Sequence, residues 1–126
     1  MNQSPDWSDK TILIVEDDLI ARIFYEKTLK DLTQLIFVKN GLDAVETVKT
    51  DPSVDLVLMD LKMPVKTGFE ATVEIKSIRP SLPVIAQTAL AYPQDKKKAK
   101  EAGCDDFISK PIEIEILFDT LTRFLG

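Results

Sequence analysis

From Lys10 onward the chain alternates five times between unbroken apolar runs and apolar positions spaced three or four apart. Thr11–Val15 is a continuous β-branched and apolar run, the pattern of a strand buried on both faces of a parallel sheet. A helix over Leu19–Asp31 follows, with Ile20, Phe24 and Thr28 four apart. Leu35–Val38 predicts a second, short strand. Asn40-Gly41 alone reads as a hairpin turn, but Leu42, Val45 and Val48 are three apart and predict a helix instead. Asp51-Pro52 ends it, and Val54–Met59 is the third and central strand, delivering Asp60 at its C-terminal end.

The remaining units repeat the scheme. Gly68–Ile78 predicts a helix that stops before Arg79-Pro80, and Pro83–Gln87 the fourth strand. Pro93 suits the first turn of a helix that runs to about Ala102, with Gly103 as its C-cap. Asp106–Ser109 is a fifth, short strand. Glu113–Leu125 closes the chain as a helix whose Ile114, Leu117, Leu121 and Phe124 form one apolar stripe. Five βα units of this length predict an α/β fold, a doubly wound, mostly parallel sheet with helices on both faces. The expected strand order is 2-1-3-4-5, the flavodoxin-like (βα)5 order, whose switch point lies between strands one and three. Ligands bind there, outside the C-terminal ends of the strands.

The organisation is read as a linker or tail over residues 1–9 and one domain over residues 10–126. The first nine residues are mostly polar and show no period, although Trp7 is expected to pack down onto the domain. A chain of 126 residues, 44% hydrophobic and 29% charged, has the size and mix of one globular domain. Its net charge of -5 makes nucleic acid a poor direct partner, since a phosphate backbone needs a basic face. The one basic cluster, Lys96 to Lys98 with Lys100, sits among acids and reads as a solvated helix face. The single cysteine, Cys104, forms no internal disulfide and reads as packing in a reducing compartment. No apolar run approaches the ~20 residues of a membrane helix. The polar N-terminus lacks an apolar signal core, so a cytoplasmic protein is expected. The absence of histidine excludes a Ser-His-Asp triad, a histidine metal ligand and an internal phosphohistidine.

The informative residues fall at the strand ends. Strand one ends in Glu16-Asp17-Asp18, strand three in Asp60, strand four near Thr88 and strand five in Lys110-Pro111. The fold brings them to one edge, where carboxylates meet one lysine and one hydroxyl. Crowded carboxylates repel one another, and a hard cation relieves them. Oxygen-only ligation with few protein ligands points to Mg2+ or Mn2+. Asp60, at the middle of the cluster, is then a nucleophile toward phosphorus. Lys110 pairs first with Asp60 and then with a phosphoryl oxygen, and the Thr88 hydroxyl serves a second oxygen. Such catalysis is positioning plus electrostatic stabilisation.

Four stretches carry a family resemblance over about Lys10 to Leu125: Thr-Ile-Leu-Ile-Val-Glu-Asp-Asp, Asp-Leu-Val-Leu-Met-Asp-Leu-Lys-Met-Pro, Ile-Ala-Gln-Thr-Ala and Ala-Gly-Cys-Asp-Asp-Phe-Ile-Ser-Lys-Pro. They resemble the signatures of response-regulator receiver domains, and the last two are most similar to receivers attached to hybrid sensor histidine kinases. The resemblance implies that Asp60 is the phosphoacceptor of a two-component phosphorelay. Its phosphoryl donor would be a histidine kinase or a histidine phosphotransfer protein. It implies Glu16 and Asp17 as metal acids, with Asp17 the direct ligand, and the backbone carbonyl of Lys62 as a further ligand. Thr88 and Lys110 would bind phosphoryl oxygens, and Phe107 matches the switch aromatic that turns inward as the Thr88 hydroxyl moves. Pro111 is expected in a cis peptide. Output is expected through the domain's own surface, by the face of the fourth helix, fifth strand and fifth helix, where a homodimer would also form. Three residues depart from the common pattern. Glu16 stands for an Asp, Phe107 lacks a tyrosine hydroxyl, and Thr67 replaces an acid in a loop that Lys62 and Lys66 make basic.

Three rival readings compete with this one. An aspartyl phosphohydrolase would carry a second acid two residues past the nucleophile, where Lys62 stands. A flavin binder would need a Gly/Ser/Thr-rich phosphate loop after the first strand, where Glu16-Asp17-Asp18 would repel a phosphate. A receiver-like scaffold that works without phosphorylation would keep its signalling after Asp60→Asn.

Overall fold

The computed structural model describes residues 5–63, 65–89 and 92–126. Five strands, β1 (Trp7–Val15), β2 (Thr33–Val38), β3 (Val54–Asp60), β4 (Val84–Thr88) and β5 (Asp106–Ser109), alternate with five helices. These are α1 (Leu19–Leu29), α2 (Gly41–Thr50), α3 (Gly68–Ile78), α4 (Pro93–Ala102) and α5 (Ile114–Leu125). All strand pairs are parallel, in the order β2-β1-β3-β4-β5. This is the flavodoxin-like order expected from the pattern. Among the described residues, no helix is long and apolar enough to cross a membrane.

Period-two alternation splits the buried strand residues between two faces. Leu13, Val15, Val57, Met59 and Val84 pack on one side against Ala44, Val45 and Val48 of α2 and Ala71 and Ile75 of α3. Ile12, Ile14, Leu56, Leu58, Ile85 and Ile108 pack on the other against Tyr25 and Leu29 of α1 and Leu117 and Leu121 of α5. Because the sheet is covered on both sides, its strands read as apolar runs, and polarity returns only at their ends.

Local chemistry sets the boundaries. Asn40 caps α2 by accepting the Asp43 N–H at 2.8 Å, which turns Asn40-Gly41 into a helix start and not a hairpin. Thr67 and Glu70 form a reciprocal capping box on α3, so the residue standing where an acid is common has a structural task. Gly103 ends α4 at φ +110°. Two boundaries differ from the expectation on the α1–β2 side. Helix α1 ends at Leu29, two residues short of Asp31, and β2 begins at Thr33, two before Leu35. There the Thr33 hydroxyl donates to the Lys10 carbonyl at 2.7 Å and ties the strand start to β1.

The largest difference is at the start. Strand β1 begins at Trp7, so residues 7–9, assigned to the expected linker, belong to the sheet, while residues 1–4 of that linker lie outside the described residues. Trp7 is buried. Its main-chain N–H donates to Leu32, its indole N–H donates to the Gly126 carbonyl at 2.8 Å, and its ring meets Phe118 edge-on. One apolar anchor among polar neighbours has no period, so the strand it extends leaves no pattern. The pairing register shifts between Trp7 and Thr11, as an extension held mainly by its anchor allows.

Candidate functional site

The C-terminal ends of β1, β3, β4 and β5 meet at one edge of the sheet, and each delivers one of the expected polar groups. Glu16, one residue past β1, is fully buried, whereas Asp17 is exposed. Asp60, the last residue of β3, is 6% exposed. One carboxylate oxygen from each of Glu16, Asp17 and Asp60 lies within 4.8 Å of the other two. Asp18 turns away from the cluster to cap α1 through the Ala21 N–H at 3.0 Å, while its own N–H donates to Glu16 Oε2 at 3.2 Å. The acid run after β1 therefore divides into two cluster acids and one helix cap.

Lys110 follows β5 and reaches back into the cluster. Its ammonium lies 2.5 Å from Glu16 Oε1 and 3.4 Å from Asp60 Oδ2. The expected Asp60–Lys110 pairing is present, but the shorter contact is with Glu16. That acid is the more deeply buried, and a buried carboxylate demands a counter-charge. Burial pushes the Glu16 carboxyl up to about 7, against the pull of the Lys110 hydrogen bond and with a further push from Asp60. Burial draws Lys110 down, but its hydrogen bond to Glu16 and the charges of Asp60 and Glu16 outweigh that, and the net shift is upward. The peptide between Lys110 and Pro111 is cis.

The main chain holds these groups together. Asp60 Oδ1 accepts the Lys62 N–H at 3.0 Å, which curls residues 60–62 around the carboxylate. The Leu61 N–H donates to the Gln87 carbonyl at 3.2 Å, and the Lys110 N–H to the Thr88 carbonyl at 2.8 Å. The end of β4 thus clamps the residue after Asp60 on one side and Lys110 on the other. Thr88 is 1% exposed. Phe107 is half-buried against Leu61, Ala86 and Ala99, with the Lys96 ammonium 5.6 Å from its ring centre. In the basic loop, Lys66 is engaged by Glu74 at 2.7 Å, and exposed Val65 holds the left-handed region at φ +72°.

Two features of the site went unread in the sequence. A Cβ on Gly68 would stand 2.2 Å from the Asp60 carbonyl oxygen and 2.7 Å from Leu61 Cα, so only glycine lets α3 start against the end of β3. In the sequence Gly68 reads only as a helix start. Behind the site, the Tyr25 hydroxyl donates to Gln87 Oε1, and both residues are buried. The available signal was Gln87 itself, a carboxamide directly after the apolar run Val84-Ile85-Ala86.

Comparison with known proteins identifies the family. The family model of the response regulator receiver domain matches residues 12–122. The polar-differentiation response regulator DivK of Brucella anthropi is 34% identical, over 93% of this chain and 97% of its own length. Among solved structures, the receiver domain of the Pseudomonas aeruginosa sensor histidine kinase PA1611, with a magnesium ion coordinated in its active-site cleft, is 32% identical. It superposes with a TM-score of 0.87, covering 94% of this chain and 99% of that one. The receiver domain of the Saccharomyces cerevisiae response regulator Ssk1, in complex with the histidine phosphotransfer protein Ypd1, is 28% identical with a TM-score of 0.86, covering 94% and 90%. With the family model covering residues 12–122 and the strand order in agreement, the chain belongs to the response regulator receiver domain family of two-component signalling.

Proposed function

We propose that this domain accepts a phosphoryl group on the Asp60 carboxylate from a phosphohistidine of a histidine kinase or histidine phosphotransfer protein, in a reaction that needs Mg2+ or Mn2+. The observation that carries the reading is the convergence of Glu16, Asp17 and Asp60 on one point, with Lys110 as the adjoining cation. This donor set suits a hard divalent ion, because it is all oxygen and its innermost acid is buried beyond what one lysine offsets. Asp17, Asp60, Glu16 and the Lys62 carbonyl are the groups that would hold it. Bound there, the ion would neutralise charge on the phosphoryl oxygens.

The protein's own groups account for the rest. A carboxylate oxygen of Asp60 attacks phosphorus, the P–N bond of the phosphohistidine breaks, and its electron pair stays on the imidazole, which takes a proton. Lys110 exchanges its contact with Asp60 for one with a phosphoryl oxygen, and the Thr88 hydroxyl serves another. Phe107 follows Thr88 by packing alone, since it has no hydroxyl. The acyl phosphate is then lost slowly to water or passed onward, and no external substrate is turned over. The reaction is assigned to the cytoplasm.

Docking of the donor is supported by helix α1, where Leu19, Ile20 and Ile23 are exposed beside the site. A cavity of about 290 Å3, lined by Ile20, Phe24, Tyr25, Lys110, Pro111 and others, opens between that helix and the segment after β5. An apolar ridge next to the acceptor suits a helical partner presenting a histidine. Output is assigned to the α4–β5–α5 face, where Tyr92, Ile114 and Ile116 are exposed.

Intact mass after incubation with acetyl phosphate and Mg2+ tests the proposal. A single phosphoryl adduct that needs metal and disappears in Asp60→Asn is expected. If no adduct forms and beryllofluoride also fails to bind, the phosphoacceptor reading is lost and a phosphorylation-independent scaffold takes its place.

A further inference from the structure

The α1–α5 side of the sheet is largely apolar, and within it an α1 side chain makes a buried hydrogen bond to the sheet. The Tyr25 hydroxyl donates to Gln87 Oε1, with Tyr25 1% and Gln87 0% exposed. A hydrogen bond shielded from water adds a directional constraint to the packing, since breaking it leaves two buried polar groups unpaired. Gln87 Nε2 has no hydrogen-bond partner among the described residues, so the carboxamide is tied to Tyr25 and to nothing else there.

Both ends of this bond lead somewhere. On the helix side, Tyr25 lies one turn past Ala21 and shares the cavity beside the site with Ile20 and Lys110. Exposed Leu19, Ile20 and Ile23 are carried on the same helix. On the sheet side, Gln87 pairs in register with Asp60, its carbonyl accepts the Leu61 N–H, and Thr88, next in the chain, accepts the Lys110 N–H. A displacement of Gln87 is therefore felt by the main chain on both sides of the cluster. We infer that Tyr25 and Gln87 are a positioning pair that couples helix α1 to the strand end holding Asp60, Thr88 and Lys110. Occupancy of the site then alters α1, and contact on α1 alters the site by the same factor. The inference rests on the phosphoacceptor reading.

Exchange of backbone amides tests it on the whole chain, with Mg2+ and beryllofluoride as the probe. In wild type, beryllofluoride is expected to change exchange of the α1 amides beyond its first turn, which Asp18 ties directly to Glu16, by about fivefold or more. The double variant Tyr25→Phe/Gln87→Leu replaces both partners by apolar groups of similar shape and should stay folded. Tyr25→Phe alone, which deletes one oxygen, is the milder second variant. In both, the α1 response is expected to vanish while β5 amides still respond. A purely structural role would lower stability and leave the α1 response in place. An α1 response retained in the variants, or absent from a wild type that binds beryllofluoride, overturns the coupling. A wild type that does not bind beryllofluoride overturns the phosphoacceptor reading, and the coupling with it.

Discussion

The ammonium of Lys110 lies closer to Glu16 than to Asp60, at 2.5 Å against 3.4 Å. The lysine thus serves the innermost acid first. Removing it leaves a buried carboxylate without its cation. Lys110→Met should lower metal-free stability at pH 8 by about 3–5 kcal/mol, as for other broken buried pairs. At pH 5.5 the loss should shrink, because Glu16 can then hold a proton. Urea unfolding at both pH values in the presence of a chelator measures it, and equal losses would place the pair outside the stability balance.

The acid side of the same pair predicts a pH dependence. Burial raises Glu16 from 4.5 to about 7, so the folded form binds this proton more tightly than the unfolded chain. With more protons on the folded form across that window, stability falls as pH rises. The metal-free domain should therefore lose stability between about pH 4.5 and 7 relative to Glu16→Gln, whose side chain does not titrate. Mg2+ should reverse the trend, binding more strongly as pH approaches 7. Denaturation midpoints with and without Mg2+ at pH 5 and 7.5 give both signs.

Gly68 is a position where helix propensity and packing oppose each other. In a helix, alanine is ordinarily favoured over glycine by about 1 kcal/mol. Here the added Cβ would meet backbone of Asp60 and Leu61 at 2.2 and 2.7 Å, and backbone does not yield as a flexible side chain does. Gly68→Ala is expected to destabilise by roughly 1–3 kcal/mol, the usual range for overpacking. It should also slow formation of any phosphoryl adduct from acetyl phosphate, because the strand end carrying Asp60 must shift.

Val65 holds φ +72° with a β-branched side chain that is 79% exposed. Left-handed backbone costs such a residue about 1–2 kcal/mol, and asparagine tolerates it better. Val65→Asn should raise stability by up to about 1 kcal/mol. An unchanged unfolding midpoint would mean that the loop relaxes without cost.

Trp7 should account for a large share of stability despite sitting in polar sequence. Trp7→Ala removes a buried indole and its bond to Gly126, and a loss of about 3–5 kcal/mol is expected in chemical denaturation.

Trp7 also shows where sequence reading ends. The five strands and helices were legible because a sheet covered on both faces needs apolar runs, and the site was legible because such runs end where polar residues return. Glu16, Asp60 and Lys110 could each be placed from a strand end alone. Thr88 proved to be the last residue of β4, one beyond the expected end at Gln87. Trp7, Gly68 and the Tyr25–Gln87 bond depend on what a residue meets across the fold: the end of α5, the carbonyl of Asp60, a helix on the far side of the sheet. No local period encodes such partners. The order of preference at Lys110 was equally hidden, since it follows from how deeply each acid is buried.

The bond between Trp7 and Gly126 gives the domain two poles. It fastens the first strand to the last helix at the edge of the sheet where parallel strands begin, while Asp60 and its neighbours occupy the edge where they end. A short peptide could join residue 126 to residue 7, and new termini could be opened in a surface loop, without crossing the acidic edge. Tethers, labels or fusions attached at this seam would leave the acidic pole open to an approaching partner.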